Sequence, residues 1–332
     1  MQNIVNHSYF NSHLNWAVSV MEGYYPEGFF ERNGFFQLYP FTTENLCGYF
    51  DAFDFQNRSF LTVGSSLDQV ILAIFMGCSD VTVYDICPFT KYYFYLKKAG
   101  IMVLDYQEFL DYFCYVDYPK TFHDNRHVFN LESYKKLGNA LRLLDYESFL
   151  FWDELFCNYS NETIRRRLFT RDESKVKVLK NCNLYMRDIE NFYQIKKKIQ
   201  RIQPKFKIGD IYQLDGLGVY DNICLSNLAC YVEDLNVYLE FIKNIVGHLS
   251  SDGVMQWAYL YDTKRDTKYQ EDWQAIYNLE YTFQVFREYL SEFKSFTGVQ
   301  GFLFEEEKLM DSTLIYKRVR KEGYYGDFES KS

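Results

Sequence analysis

Ser59–Pro88 reads SFLTVGSSLDQVILAIFMGCSDVTVYDICP, and its order of runs and breaks decides the fold class. A β-rich run, Phe60–Val63, ends in the small-residue turn Gly64-Ser65-Ser66. An apolar segment of helical length follows, Leu67–Met76, stopped by Gly77. A second β-branched run, Val81–Tyr84, then delivers Asp85. This is a β–turn–α–β unit whose acid stands 85 − 64 = 21 positions past the turn glycine. In nucleotide-binding α/β folds an acid about 20 residues on reaches the ribose hydroxyls. Small residues suit the turn because a ligand there lies against backbone N–H groups at a helix N-terminus.

The glycine pattern is incomplete. G-x-G-x-x-G would need glycines at positions 66 and 69, which hold Ser66 and Gln69. A dinucleotide pyrophosphate needs the closest backbone approach and the helix-end charge, whereas a ligand without phosphates tolerates serine. Asp68 at the helix start disfavours a phosphate more than a sulfonium cation. The reading therefore moves from NAD to S-adenosylmethionine (SAM). A buried βαβ unit with no ligand is the plain alternative this motif alone leaves open.

With 332 residues the chain can bury a full core in one large domain or two. A net charge of −9 argues against nucleic acid or an anionic membrane surface as the main partner. The 8 cysteines show no CxxC or Cys/His metal spacing, so no metal site is expected and a reduced, cytoplasmic compartment fits. Met1–Ser12 has neither a basic nor an apolar leader region. The longest apolar run, Val70–Met76, is far short of the roughly 20 residues of a membrane helix, so no integral membrane segment is expected. The 31 Tyr and 31 Phe are read as a bulky core, with aromatic platforms for a substrate as the alternative.

Along the chain, residues 1–58 are expected to be short helices covering the sheet or a ligand, with His7, His13 and Trp16 in reach of a site. After the βαβ unit, Pro88 starts a helix that ends at Gly100, and Ile101–Leu104 reads as a short strand. Residues 105–204 read as a helical insertion: Tyr106–Tyr115, Leu131–Cys157, Asn161–Phe169 and Arg187–Gln203. Its basic clusters, Arg165-Arg166-Arg167 and Lys196-Lys197-Lys198, read as solvated faces. The α/β signal returns after Pro204 with the strand tip Lys207–Ile211, the strand Val219–Ser226 and the helix Asp234–His248. Ser251-Asp252-Gly253 reads as a turn before the strand Val254–Tyr261, and Glu271–Phe293 as a helix. Val299–Phe304 and Ser312–Arg318 form a final strand pair around Glu305-Glu306-Glu307, and residues 321–332 are a polar tail.

Without the insertion, the order VGSS…YD…GD…YDNICLSN…DG resembles class I SAM-dependent methyltransferases. The resemblance covers about residues 59–104 and 205–318. It implies an α/β, Rossmann-like sheet, mostly parallel with an antiparallel terminal hairpin, here carrying an inserted helical subdomain. Four stretches also resemble the bacterial SAM:diacylglycerol 3-amino-3-carboxypropyltransferases of betaine-lipid synthesis: Asp85–Pro88, Asp105–Leu110, Phe151–Asp153 and Leu225–Asn227.

Carried over residue by residue, the resemblance implies a SAM-binding domain of residues 59–104 and 205–320. Gly64, Ser65 and Ser66 would approach the methionine part of SAM through backbone. Asp85 would accept from the ribose, with Ile86 on the adenine. Asp210 would accept from the adenine amine, with Ile211 beside the ring. Ser226 and Asn227 would face the sulfonium and the incoming nucleophile. No His or Cys triad is required, because a sulfonium is already a good leaving group. Asp68, Asp153, Glu154 and His7 are the candidate bases. The expectation is a transferase moving a methyl or 3-amino-3-carboxypropyl group from SAM to a small-molecule or lipid-precursor acceptor. A non-catalytic domain that holds an adenosyl ligand is the alternative.

Overall fold

The computed structural model describes residues 7–24, 37–42, 44–114, 129–170, 176–231, 234–260, 296–303 and 310–318. Helices α1 (His7–Glu22) and α2 (Leu46–Tyr49) precede β1 (Ser59–Val63), α3 (Asp68–Phe75), β2 (Asp80–Asp85) and α4 (Thr90–Val103). Six helices follow: α5 (Tyr106–Phe113), α6 (Leu131–Leu144), α7 (Tyr146–Asn158), α8 (Asn161–Leu168), α9 (Val176–Cys182) and α10 (Ile189–Lys198). The chain then gives β3 (Lys205–Ile208), β4 (Tyr220–Cys224), α11 (Leu235–Ile245), β5 (Leu249–Leu260), β6 (Phe296–Leu303) and β7 (Met310–Lys317).

Among the described residues the strands form one seven-stranded sheet in the order β3-β2-β1-β4-β5-β7-β6. Strands β1 to β5 pair in parallel, and β7 runs antiparallel between β5 and β6. This is the mostly parallel sheet with a closing antiparallel hairpin that the resemblance implies. Successive residues of a strand face opposite sides. Phe60, Val83, Cys224 and Val254 join the larger core with the N-terminal region and helices α3 to α10. Leu61, Tyr84, Ile223 and Met255 join the smaller core beneath Tyr238, Ile242 and Ile245 of α11. The aromatic content is core: Tyr92 stacks on Phe151 at 4.2 Å and 8°, and Trp152 Nε1 donates to the Tyr92 carbonyl at 2.8 Å.

Several local expectations are corrected. Helix α4 does not stop at Gly100 but runs to Val103, so Ile101–Leu104 is not a strand. Gly100 is there for packing: a Cβ would lie 2.5 Å from Phe113 Cε2. The predicted helix Leu131–Cys157 is two helices, because the Asp145 carboxylate accepts from Ser148 N at 3.0 Å and caps the second. Ser251-Asp252-Gly253 lies inside β5, where the register against β4 shifts. The Lys196–Lys198 cluster is not merely solvated: Lys196 Nζ donates to the Leu104 carbonyl at 2.9 Å and Lys198 Nζ to that of Phe75, both at helix C-termini. Glu271–Phe293, Glu305-Glu306-Glu307 and residues 321–332 lie outside the described residues. No helix among those described is long and apolar enough to cross a membrane, and none of their His, Cys, Asp and Glu groups has metal-holding geometry.

Candidate functional site

Register brings the site together. Val63 pairs with Tyr84 and Thr62 with Cys224. The chain therefore leaves β2, β1 and β4 at one level, with Asp85 the last residue of β2, Gly64 the first beyond β1 and Ser226 the second beyond β4. From β1 the chain moves outward through β2 to β3, then returns to β4 on the other side of β1 and moves outward to β5, so the strand order reverses between β1 and β4. That is the switch point where open α/β sheets bind ligands.

Asp85 is tied to its own turn. Its Oδ2 accepts from Ser65 N at 2.9 Å and its Oδ1 from Cys87 N at 2.8 Å. Burial pushes its carboxyl up to about 6, against the pull of these backbone N–H groups. Gly64 has to be glycine, since a Cβ would collide with Asp85 Oδ2 and lie 2.9 Å from Thr90 Cγ2. The turn is also strained, with Ser65 at φ 47° and Leu67 at φ 67°. Strand β3 adds its end beside Asp85, where Gly209 N donates to the Asp85 carbonyl at 2.9 Å. Asp210 is exposed there and accepts from Tyr212 N at 3.0 Å. Ile86 is half-buried, whereas Ile211 is 5% exposed and packs in the α11-side core.

Ser66 and Asp68 turn inward from the glycine turn. The Ser66 hydroxyl donates to Asp68 Oδ2 at 3.1 Å, and the Ser66 carbonyl accepts from Lys97 Nζ at 2.9 Å. The Asp68 carboxylate also accepts from Lys97 Nζ at 2.8 Å, Tyr185 OH at 2.7 Å and Thr42 N at 2.6 Å. With 0% exposure and four donors, Asp68 is a structural hub, which removes it as a candidate base. Glu154 is exposed and accepts from Asn158 Nδ2 at 2.8 Å, Asp153 is half-buried on α7, and the side chain of His7 is outside the described residues.

At the β4 end, Ser226 is buried at φ 55°. Gln256 of β5 clamps its backbone, accepting from Ser226 N at 2.8 Å and donating to the Ser226 carbonyl at 3.1 Å. Thr313 of β7 accepts from the same Gln256 amide at 3.1 Å. The Ser226 hydroxyl donates to Glu44 Oε1 and lies 3.4 Å from Asn227 Oδ1. Tyr49 OH donates to Glu44 Oε2 at 2.6 Å. Glu44 and Gln256 escaped the sequence reading: Glu44 lies 182 positions before Ser226, and no motif connects them.

No family model and no curated relative matches the chain. Among solved structures, it is similar to the N-methyltransferase NodS from Bradyrhizobium japonicum WM9, with a TM-score of 0.37 and 11% identity over 84% of this chain and 94% of that one. A methyltransferase from Pyrococcus furiosus gives a TM-score of 0.25 and 16% identity over 40% and 59% of the two chains. The pyocyanin biosynthetic protein PhzM gives 0.33 and 11% over 83% and 54%. The fold assignment rests on the strand order and register above.

Proposed function

We propose that the crevice above β1, β2 and β4 binds SAM and that the chain is a SAM-dependent transferase. The observation that carries this reading is the level row of Gly64, Asp85 and Ser226 at the switch point. The groups present fit the ligand: a Cβ-free turn at Gly64 for the methionine part, the Asp85 carboxyl for the ribose, and Asp210 with Ile86 for the adenine. SAM supplies an activated carbon next to a sulfonium. The protein's share is then to fix the acceptor in line and keep water away. Ser226 and Asn227, at the end of β4, are the residues to which this reading gives that task.

The transferred group is a methyl or a 3-amino-3-carboxypropyl, and the acceptor a small polar metabolite or a cell-envelope precursor. Asp105-Tyr106-Gln107-Glu108, one of the stretches behind the aminocarboxypropyl resemblance, is a helix capping box: Glu108 N donates to Asp105 Oδ1 at 2.8 Å and Asp105 N to Glu108 Oε2 at 3.1 Å. Its acids therefore support α5 and give no reason to prefer the larger group.

Calorimetric titration with SAM, S-adenosylhomocysteine, methylthioadenosine and NADH tests the reading. Micromolar binding of SAM is expected, and the tighter of the two nucleoside by-products points to the reaction. Saturable binding without turnover on a panel of amine, hydroxyl and thiol acceptors would favour the non-catalytic alternative. Failure of every adenosyl ligand to bind would overturn the cofactor assignment.

A further inference from the structure

Glu44 is an acid buried at the β4 end of the site. It is 2% exposed, and it arrives from the segment before α2 to meet the end of β4. Its carboxylate faces the hydroxyls of Ser226 and Tyr49, and its own N–H donates to Thr42 Oγ1 at 3.1 Å. Burial raises the Tyr49 phenol well above its ordinary range, and the neighbouring Cys224 thiol to about 12. Both therefore stay protonated at neutral pH, and the Ser226 and Tyr49 hydroxyls each present a donor to one oxygen of Glu44. Tyr49 OH lies 3.8 Å from Cys224 Sγ, and Asn45 N donates to Tyr259 OH at 3.3 Å, so α2, β4 and β5 all close around this acid.

Ser226 is built as the link between that acid and the crevice. Its left-handed backbone, at φ 55°, is held at both N–H and carbonyl by Gln256, and Tyr259 N also donates to its carbonyl at 3.0 Å. A non-glycine residue in this conformation persists only where its surroundings over-determine it. The result fixes one hydroxyl between Glu44 Oε1 and Asn227 Oδ1.

We propose that Glu44, acting through the Ser226 hydroxyl, receives the proton of an acceptor that presents a protonated amine. This rests on the SAM reading above. One N–H proton of the ammonium first passes to Ser226 Oγ as the hydroxyl proton of Ser226 passes to Glu44 Oε1, which frees the lone pair on nitrogen. The neutral amine then bonds to the transferred carbon, the carbon–sulfur bond breaks with its electron pair staying on sulfur as a neutral thioether, and the positive charge moves to the product nitrogen. An amine suits this pair because a carboxylate can relieve an ammonium of its proton, whereas an alcohol holds its proton too tightly.

The test uses sinefungin, the SAM analogue with a protonated amine on carbon where SAM has its methylated sulfonium, against S-adenosylhomocysteine, which has no cation there. Wild type should bind sinefungin at least about tenfold tighter than S-adenosylhomocysteine by calorimetry, the size of a charge-assisted hydrogen bond. Glu44→Gln should erase that preference, leave S-adenosylhomocysteine affinity within about twofold, and be partly rescued by Glu44→Asp. Ser226→Ala is the second variant, read in the same way if Glu44→Gln does not fold. Equal losses for both ligands would reduce Glu44 to a structural part and overturn the proposal, as would an unchanged preference in both variants. If wild type binds neither ligand, the SAM reading falls, and this one with it.

Discussion

Lys97 Nζ lies 2.8 Å from Asp68 Oδ1, with both side chains at 0% exposure behind the glycine turn. The ammonium also sits 4.2 Å from the Phe41 ring centroid and 5.0 Å from that of Tyr93. This pair ties α4, α3 and the segment before α2 together at the base of the site.

Removing one partner leaves the other as an uncompensated buried charge. Lys97→Met should cost about 3–5 kcal/mol in urea unfolding. Asp68→Asn combined with Lys97→Met should cost less than Lys97→Met alone, because no charge stays buried: the amide oxygen in the Oδ2 place keeps the acceptor for Thr42 N, and the Tyr185 hydroxyl turns to accept from the amide nitrogen in the Oδ1 place. A single-variant loss below about 1 kcal/mol would mean that water reaches the pair.

Gly64→Ala forces Asp85 off its turn, so SAM affinity should fall by about two orders of magnitude, with roughly 1–3 kcal/mol lost in stability. Gly247→Ala is the control: a Cβ there meets nothing within 4 Å, and the change should stay within about 0.5 kcal/mol. Calorimetry and thermal melts read both, and unaltered SAM binding in Gly64→Ala would remove Asp85 from the ligand's contacts.

Asp85 gives a pH dependence of definite sign. Its folded pKa of about 6 stands above its ordinary 3.8. Between those values the folded chain keeps the proton that the unfolded chain has lost, so lowering the pH through this window stabilises the fold, and the gain disappears as pH rises through about 6. Relative to Asp85→Asn, wild type should gain up to about 1.4 kcal/mol per pH unit from pH 6 down to 4, read from paired unfolding curves. SAM affinity should weaken over the same descent, since a protonated carboxyl is a poorer acceptor for the ribose. A flat difference would show that Asp85 titrates in its ordinary range.

Gly100→Ala pits two effects against each other. Helix propensity alone favours alanine by about 1 kcal/mol in the middle of α4. The clash with Phe113 works the other way, by about 1–3 kcal/mol in a full core. Net destabilisation is expected, with partial recovery in Gly100→Ala/Phe113→Leu. A more stable single variant would mean that the Phe113 ring yields without cost.

The sheet was legible where one residue type controls the backbone or one period controls burial. The apolar runs at 60–63, 81–84 and 219–226 with their turns led directly to β1, β2 and β4. Gly100 misled because a glycine that stops a helix and a glycine that admits a neighbouring ring look alike in sequence. Asp68 misled because its partners, Lys97 and Tyr185, come from 29 and 117 positions away. Glu44 was invisible for the same reason. Strand-end acids announce themselves by spacing from a turn, whereas a buried acid acquires its role only from elements the chain brings back later.

Strand β3 pairs with β2 across more than a hundred residues, Thr82 meeting Lys205. During synthesis, β2 therefore waits with one edge bare for about 6–25 s while the ribosome adds the intervening chain at about 5–20 residues per second. Helices α6 and α7, which pack on α4, need only near neighbours and can close over it in that interval, as loop-closure entropy favours. The long excursion between β2 and β3 thus sets an order of events: the helical layer assembles first, and the half of the crevice that holds Asp210 is completed only after it.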